Sequence, residues 1–372
     1  MPSQIFRHER VAIRVTADEP ALAWLREFGT PGLVHDPRAH AAYGVTLRVD
    51  AARHAELARV AAGAPGRGTP CFALDTRVVT LPRHDEGGRP VLDDARYGVF
   101  HRVLADGVEI VAAPGPRAGR LPLLRVVREI VSEALLRSPD RVQLHAAAVA
   151  VDGRATLFAA GKGAGKTTLL AHRLLAGGAS YVANDRVVVR LAADSAEVAG
   201  LPTVVSVRPG TIDRLACLVD GVPHVEHPSH HSIDELAAAR ATHPPFPLGE
   251  RLRLTPAQWC VQVGAAPVEH ARIEAIVVPS IDASVGTHAV ERLSHAEAAA
   301  ALGRALYGGG APRDEPTPFE ALVGGGRVTD VAPLLRRLAA CVPVLACRLG
   351  PDAYRSAAGA PSLFDAVARC AR

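Results

Sequence analysis

Lysine is almost missing from this chain: of 42 basic residues among 372, only Lys162 and Lys166 are lysines, and all the others are arginine. Long runs of one charge are missing too, and the net charge is only +4. An electrostatic nucleic-acid surface is therefore not indicated. Aromatic residues make up 4% of the chain, so stability has to come from broad aliphatic packing rather than from a few large rings. No apolar stretch is long enough to cross a bilayer. The opening "MPSQIFRHERVAIRV" carries arginines and a glutamate where a secretory signal needs about 7 to 15 apolar residues. A cytoplasmic protein without membrane or nucleic-acid partners is expected. The six cysteines include no C-x-x-C pair, which speaks against a zinc ribbon and against a disulfide framework. Reduced, partly buried thiols are the simpler expectation. Internal repeats and a coiled-coil period are also absent.

What is present divides the chain in two. Residues 1–120 read as short strands between turns, "QIFRHERVAIRV", "YGVTLRV", "CFALDTRVVTL" and "GVEIVAA", with one early helix, "EPALAWLREFG". They predict a smaller, mostly β amino-terminal domain. From Leu121 a helical period begins in "LPLLRVVREIVSEALLRS", and residues 121–372 are assigned to a second, α/β domain. There "VQLHAAAVAVDGRATLFAA" offers two strands joined at Asp152-Gly153, a strong hairpin signal. A glycine-rich loop, the helix "TTLLAHRLLAGG" and the strand runs of "SYVANDRVVVRLA" follow, which together predict a βαβ-type unit. Strands are further expected in "LPTVVSVRPG", "ARIEAIVVP" and "VPVLACRLG", and helices in "SHAEAAAALGRALY", "VAPLLRRLAAC" and "LFDAVARCA".

Both lysines fall in one place. Ala160-Gly161-Lys162-Gly163-Ala164-Gly165-Lys166-Thr167 follows the pattern G-x-x-x-x-G-K-[ST], with alanine at the first position. Such a loop wraps phosphates with backbone N–H groups at a helix amino terminus. Alanine is tolerable at the head of the loop if its backbone stays extended, because only a positive φ demands glycine. A compact ammonium can enter a ring of amides where the broad guanidinium fork of arginine cannot, which explains lysine at position 166. The sequence gives no such reason at position 162, where Lys162 either touches a phosphate or stays in solvent. The loop, with Thr168 behind it, predicts binding of a nucleoside triphosphate, with the Thr167 hydroxyl on Mg²⁺.

The run "LHAAAVAVDGRATLFAAGKGAGKTTLLAHRLLAGGASYVANDRVVV" resembles the catalytic core of the HPr kinase/phosphorylase family, and more closely the HPr-kinase-related proteins of bacterial peptide-modification clusters. The likeness covers roughly residues 120–350 and is strong over about fifty of them. It implies an HPr-kinase-like P-loop domain that uses ATP and Mg²⁺ to phosphorylate a hydroxyl on a peptide, a protein or a small metabolite. It further implies that His145 is the active-site histidine and Asp185 the second member of an aspartate pair. The first member, the family's presumed general base, is Asn184 here, which cannot take a proton from a hydroxyl. Asp185 is then left as base or metal ligand with His145 assisting, and the reverse, phosphorylase reaction is disfavoured. A metal-binding glutamate of the family falls near Ser206, and the neighbouring Arg208 could hold a phosphate or the acceptor.

Each of these residues has a plainer reading. Asp185 could cap a turn, His145 could be a hydrogen-bonded core residue, and Arg186 could pair with a carboxylate or a phosphate. His224, His227, His230, His231 and His243 lie in a proline-rich segment that suits a functional loop better than a zinc site. The catalytic set expected is Asp185, His145, Lys166 and Arg208. The nucleotide-binding set is Gly161 through Thr168, and the metal set is Thr167 with Asp185. A catalytically weakened nucleotide-binding regulatory module is the alternative. A partner-coupled ATPase is disfavoured, since no apolar run ends in a distant Walker B aspartate. ATP against GTP, and a homo-oligomer against a monomer, stay open.

Overall fold

The structure, a computed structural model, describes residues 1–63, 66–74, 77–115, 118–207, 252–309, 316–326, 330–350 and 360–371. It is mixed α/β and divides into two units. The first comprises Met1–Gly29, Leu33–Pro139 and Gly308–Thr329, and the second Thr30–Gly32, Asp140–Tyr307 and Asp330–Arg372.

In the first unit the opening run "QIFRHERVAIRV" is two antiparallel strands, β1 (Ser3–His8) and β2 (Val11–Thr16), because the chain turns at Glu9 with φ 49. Strands β3 (Val34–His35), β4 (Tyr43–Val49), β5 (Arg67–Leu74), β6 (Arg77–Glu86), β7 (Arg89–Asp94), β8 (Val99–Val103) and β9 (Gly107–Ala112) complete a nine-stranded sheet ordered β3-β1-β2-β4-β9-β8-β7-β6-β5. The parallel pair β4–β9 requires glycine at position 107, where it starts. A Cβ on Gly107 would stand 2.1 Å from the Gly44 carbonyl oxygen.

Three helices of this unit are α1 (Glu19–Gly29), α2 (Ala51–Gly63) and α3 (Arg120–Leu136). Helix α2 corrects the expectation of a single early helix. Leu57 is the one residue it buries among those described, so it carries no apolar stripe that a sequence could show. Helix α3 packs on β2, β4, β9 and α1, and so lies with the first unit although the sequence placed it at the head of the second. It is buried nearly all round. Its Arg125 donates to Asp94 at 3.3 Å and stacks over the Phe72 ring at 4.1 Å, which shields a guanidinium that would otherwise be costly to bury.

In the second unit β10 (Arg141–Leu144), β11 (Ala146–Val151), β12 (Arg154–Ala159), β13 (Ser180–Ala183), β14 (Val187–Leu191), β15 (Ala196–Gly200) and β18 (His270–Ile281) form a mixed sheet ordered β10-β14-β15-β18-β12-β11-β13. A short ribbon, β16 (Val205–Val207) with β17 (Leu252–Leu254), stands apart. Strands β19 (His288–Arg292) and β20 (Val344–Leu349) extend the main sheet beyond β18. Asp152 and Gly153 take φ 48 and 75, the mirror-image turn that an Asp-Gly pair favours, and they set the β11–β12 register.

Helix α4 (Lys166–Leu175) leads from the glycine loop toward β13. Both β12 and β13 are antiparallel to β11, so they point the same way with β11 between them. The expected βαβ unit therefore forms with an antiparallel strand inserted, and α4 lies across β11 and β12. Helices α5 (Pro256–Val263), α6 (His295–Arg304), α7 (Ala332–Cys341) and α8 (Ala360–Ala371) complete the unit. Leu169, Leu170 and Leu174 of α4 join Phe158, Tyr181, Trp259 and Leu345 in one buried cluster. At about 1.5–3 kcal/mol for each large side chain, this cluster fixes the helix and with it the loop that precedes it.

Candidate functional site

The glycine loop runs from the end of β12 to the first turn of α4. Ala160 keeps a negative φ, so alanine costs nothing there. Gly163 and Gly165 take φ 90 and 97, conformations that a side chain would strain. Gly161, Lys162 and Gly163 are exposed at the crest, and Ala164, Gly165, Thr167 and Thr168 are half-buried. Lys166 is 6% exposed, and its ammonium turns back into the loop to donate to the carbonyls of Ala160 at 2.8 Å and Gly161 at 3.0 Å. Buried ammonium needs such partners, since each unsatisfied charged donor would cost several kcal/mol, on the order of 3 or more.

Thr167 donates its hydroxyl to the Asn184 side-chain oxygen at 3.5 Å. Asn184 is buried in the turn between β13 and β14, and its amide donates to the Val204 carbonyl at 3.4 Å. That second bond fixes which way the amide faces, leaving the oxygen toward Thr167. The close approach of β13 to β15 that allows this depends on Gly200. A Cβ at that position would meet the Val182 carbonyl oxygen at 2.2 Å, two residues before Asn184.

Asp185, next along the turn, lies 2.8 Å from Nε2 of His145. The carboxylate is 39% exposed and the imidazole 6%. Because an ionised carboxylate only accepts, the imidazole donates through Nε2. His145 sits at the break between β10 and β11. Its backbone N–H donates to the Ala305 carbonyl at 2.7 Å, and its ring stands perpendicular to that of Tyr307 with the centroids 6.1 Å apart. Arg186 is fully buried, with its guanidinium 4.5 Å over the Tyr307 ring and a bond to Gln143 at 3.4 Å. Tyr181, on β13 beside this turn, has its phenol pushed well above its ordinary value, first by burial and further by the Asp185 carboxylate.

The structure thus brings together the loop Gly161–Thr168, the adjacent Asn184 and Asp185, and His145, from three places in the sequence. Sequence reasoning missed Tyr307 and Gln143, which orient Arg186 and His145. "RALYGGG" carries no motif, and only the strand-like pairing of Leu144 with Leu306 brings Tyr307 near. Ser206 lies on β16 opposite Arg253. Arg208 and the histidines of residues 224–243 lie outside the described residues.

Fit to a triphosphate and a divalent cation can be judged from the donors. The loop offers an ammonium and glycine-rich backbone at a helix amino terminus, the pattern that suits phosphate oxygens. The Thr167 hydroxyl and the Asp185 carboxylate are hard oxygen donors of the kind magnesium takes one or two of, with water and phosphate supplying the rest. Among the described residues no group of three or more His, Cys, Asp or Glu side chains forms a metal site, which is compatible with such a sparse protein share. Compared with protein-family models and with curated proteins, the chain matches none.

Proposed function

We propose that the second unit is an HPr-kinase-like phosphotransferase that moves the γ-phosphoryl group of ATP to a hydroxyl on a peptide, a protein or a small metabolite. One observation carries the reading: the loop bearing Lys166 and Thr167 adjoins, through the Thr167–Asn184 bond, a turn whose Asp185 is paired with His145. A phosphate cradle next to a histidine-backed carboxylate is what transfer to a hydroxyl needs.

In this reading Lys166 leaves the Ala160 and Gly161 carbonyls for the phosphate tail, and the loop amides take the remaining oxygens. Magnesium at Thr167 would supply neutralisation of the tail's negative charge. The acceptor oxygen bonds to the γ-phosphorus while the bond from that phosphorus to the β–γ bridging oxygen breaks. ADP leaves, and the hydroxyl proton passes to the Asp185 carboxylate. His145, holding the other side of that carboxylate, fixes its orientation. The reaction tolerates a modest base because positioning and charge neutralisation dominate a loose transition state.

Asn184 favours a second reading, a regulatory module that binds nucleotide without transferring phosphate, because a neutral amide stands at the Thr167 hydroxyl. Incubation with γ-labelled ATP, Mg²⁺ and hydroxyl acceptors separates the two. Label transfer that Lys166→Ala and Asp185→Asn abolish supports the kinase, and binding without transfer to any acceptor supports the module.

A further inference from the structure

We propose that Lys162 is a catalytic residue that neutralises the phosphoryl group during transfer, a role that rests on the phosphotransferase reading above. The first observation is compositional. Forty of the 42 basic positions are arginine, so this chain uses a guanidinium wherever any cation will serve. The one lysine besides Lys166 lies four residues before it on the same loop.

The second observation is its setting. Lys162 is exposed at the crest, between Gly161 and Gly163, and it forms no hydrogen bond or ion pair among the described residues. Lys166 is instead buried and bound to loop carbonyls. The two ammoniums are therefore prepared for different work. Lys166 is held by loop carbonyls until nucleotide takes their place, and Lys162 has no partner among the described residues. No structural duty among the described residues explains why arginine was not used at 162. A compact point charge with three donors does, because it can follow a phosphoryl group whose oxygens move as it passes from ADP to the acceptor.

The third observation concerns charge. Asn184 places a neutral amide beside Thr167, and Asp185 is the carboxylate of this turn. Proton removal is correspondingly weak, so more of the rate has to come from stabilising negative charge on the transferring group. Lys162 carries no proton in the reaction. It donates hydrogen bonds to the non-bridging oxygens of the γ-phosphoryl group, strengthening as the bond to ADP lengthens.

The test needs no acceptor. Binding of MgADP alone, and of MgADP with aluminium fluoride as a mimic of the phosphoryl group in flight, is measured by calorimetry on the full chain and on Lys162→Ala and Lys162→Arg. Lys162→Ala should lose about 100-fold in affinity for the aluminium fluoride complex and far less for MgADP alone. Lys162→Arg should restore little of it. Equal loss for both ligands would mean simple nucleotide binding, and no loss for either would mean a solvated side chain; each result overturns the proposal. Failure of the parent chain to bind MgADP at all is a separate outcome, which removes the phosphotransferase reading and this role with it. Position 162 is exposed, so the melting temperature should not move, and a fall would show that the side chain holds the loop instead.

Discussion

His145 and Asp185, forty residues apart in sequence, meet at 2.8 Å between Nε2 and Oδ1. The buried ring is held by its own backbone bond to Ala305 and by Tyr307, so it is the fixed member of the pair, and the carboxylate is the more exposed one. Asp185→Asn should lower ATP turnover by about 100-fold or more while leaving nucleotide affinity largely intact. His145→Gln, which can still donate to the carboxylate, should lose less than His145→Ala. Steady-state kinetics with γ-labelled ATP checks both, and equal losses in the two histidine variants would remove the orienting role.

Lys166 should dominate nucleotide affinity. Replacement by methionine keeps the buried stem and removes only the ammonium. A charged hydrogen-bond donor contributes about 1.5–3 kcal/mol, so ATP affinity should fall roughly 10- to 100-fold in calorimetry.

The loop glycines should not be equivalent. Gly165→Ala places a side chain at φ 97 and should cost about 1–2 kcal/mol in urea unfolding. Gly161→Ala meets open space at a negative φ and should stay within about 0.5 kcal/mol. Similar costs at both positions would contradict the loop conformation described.

Gly200→Ala tests a remote support of the site. Its methyl group would collide with the Val182 carbonyl, a backbone atom that can yield only if β13 shifts. Overpacking of this kind costs about 1–3 kcal/mol. The Asn184–Asp185 turn should move with the strand, so weaker nucleotide binding should accompany the lower urea midpoint.

Stability should fall on both sides of neutrality. His101 in the first unit is held below its ordinary value of 6.5, first by burial and further by the Arg125 charge, while Asp94 opposes the shift. The unfolded chain therefore binds the extra proton first, and stability is lost as pH drops below about 6.5. On the alkaline side burial pushes the Cys71, Cys260 and Cys347 thiols from 9.0 up to about 12. Unfolded thiols ionise first, so stability is lost as pH rises above 9. Urea midpoints from pH 5 to 10 trace the profile. Alkylation at pH 8 should spare these three thiols until the chain unfolds.

Local signals were legible wherever a single residue type answers a local backbone demand. Asp152-Gly153 announced its turn, whereas the positive φ of Gly163 and Gly165 and the Ser294–Glu297 cap that opens α6 were shown by the structure. Thr255 with Gln258 and Pro256 signals α5 in the same way, and that signal could have been used. Helix α2 gave no signal, since it buries only Leu57. The extent of the first unit was not legible either, because α3 has apolar residues enough for either neighbour and the packing on β2 and β4 decided.

For the candidate site the same division holds. The eight residues from Ala160 to Thr167 declare their phosphate-binding pattern by themselves, because loop conformation and charge are both local properties. Which side chains stand around that loop is a property of the sheet. Only the insertion of β11 between β12 and β13, and the nearness of Gly200 to Val182, bring Asn184 to Thr167 and Asp185 to His145. Those contacts join residues 17 and 40 positions apart, and no period or spacing encodes them. They follow from strand order, which is settled by packing the whole unit at once.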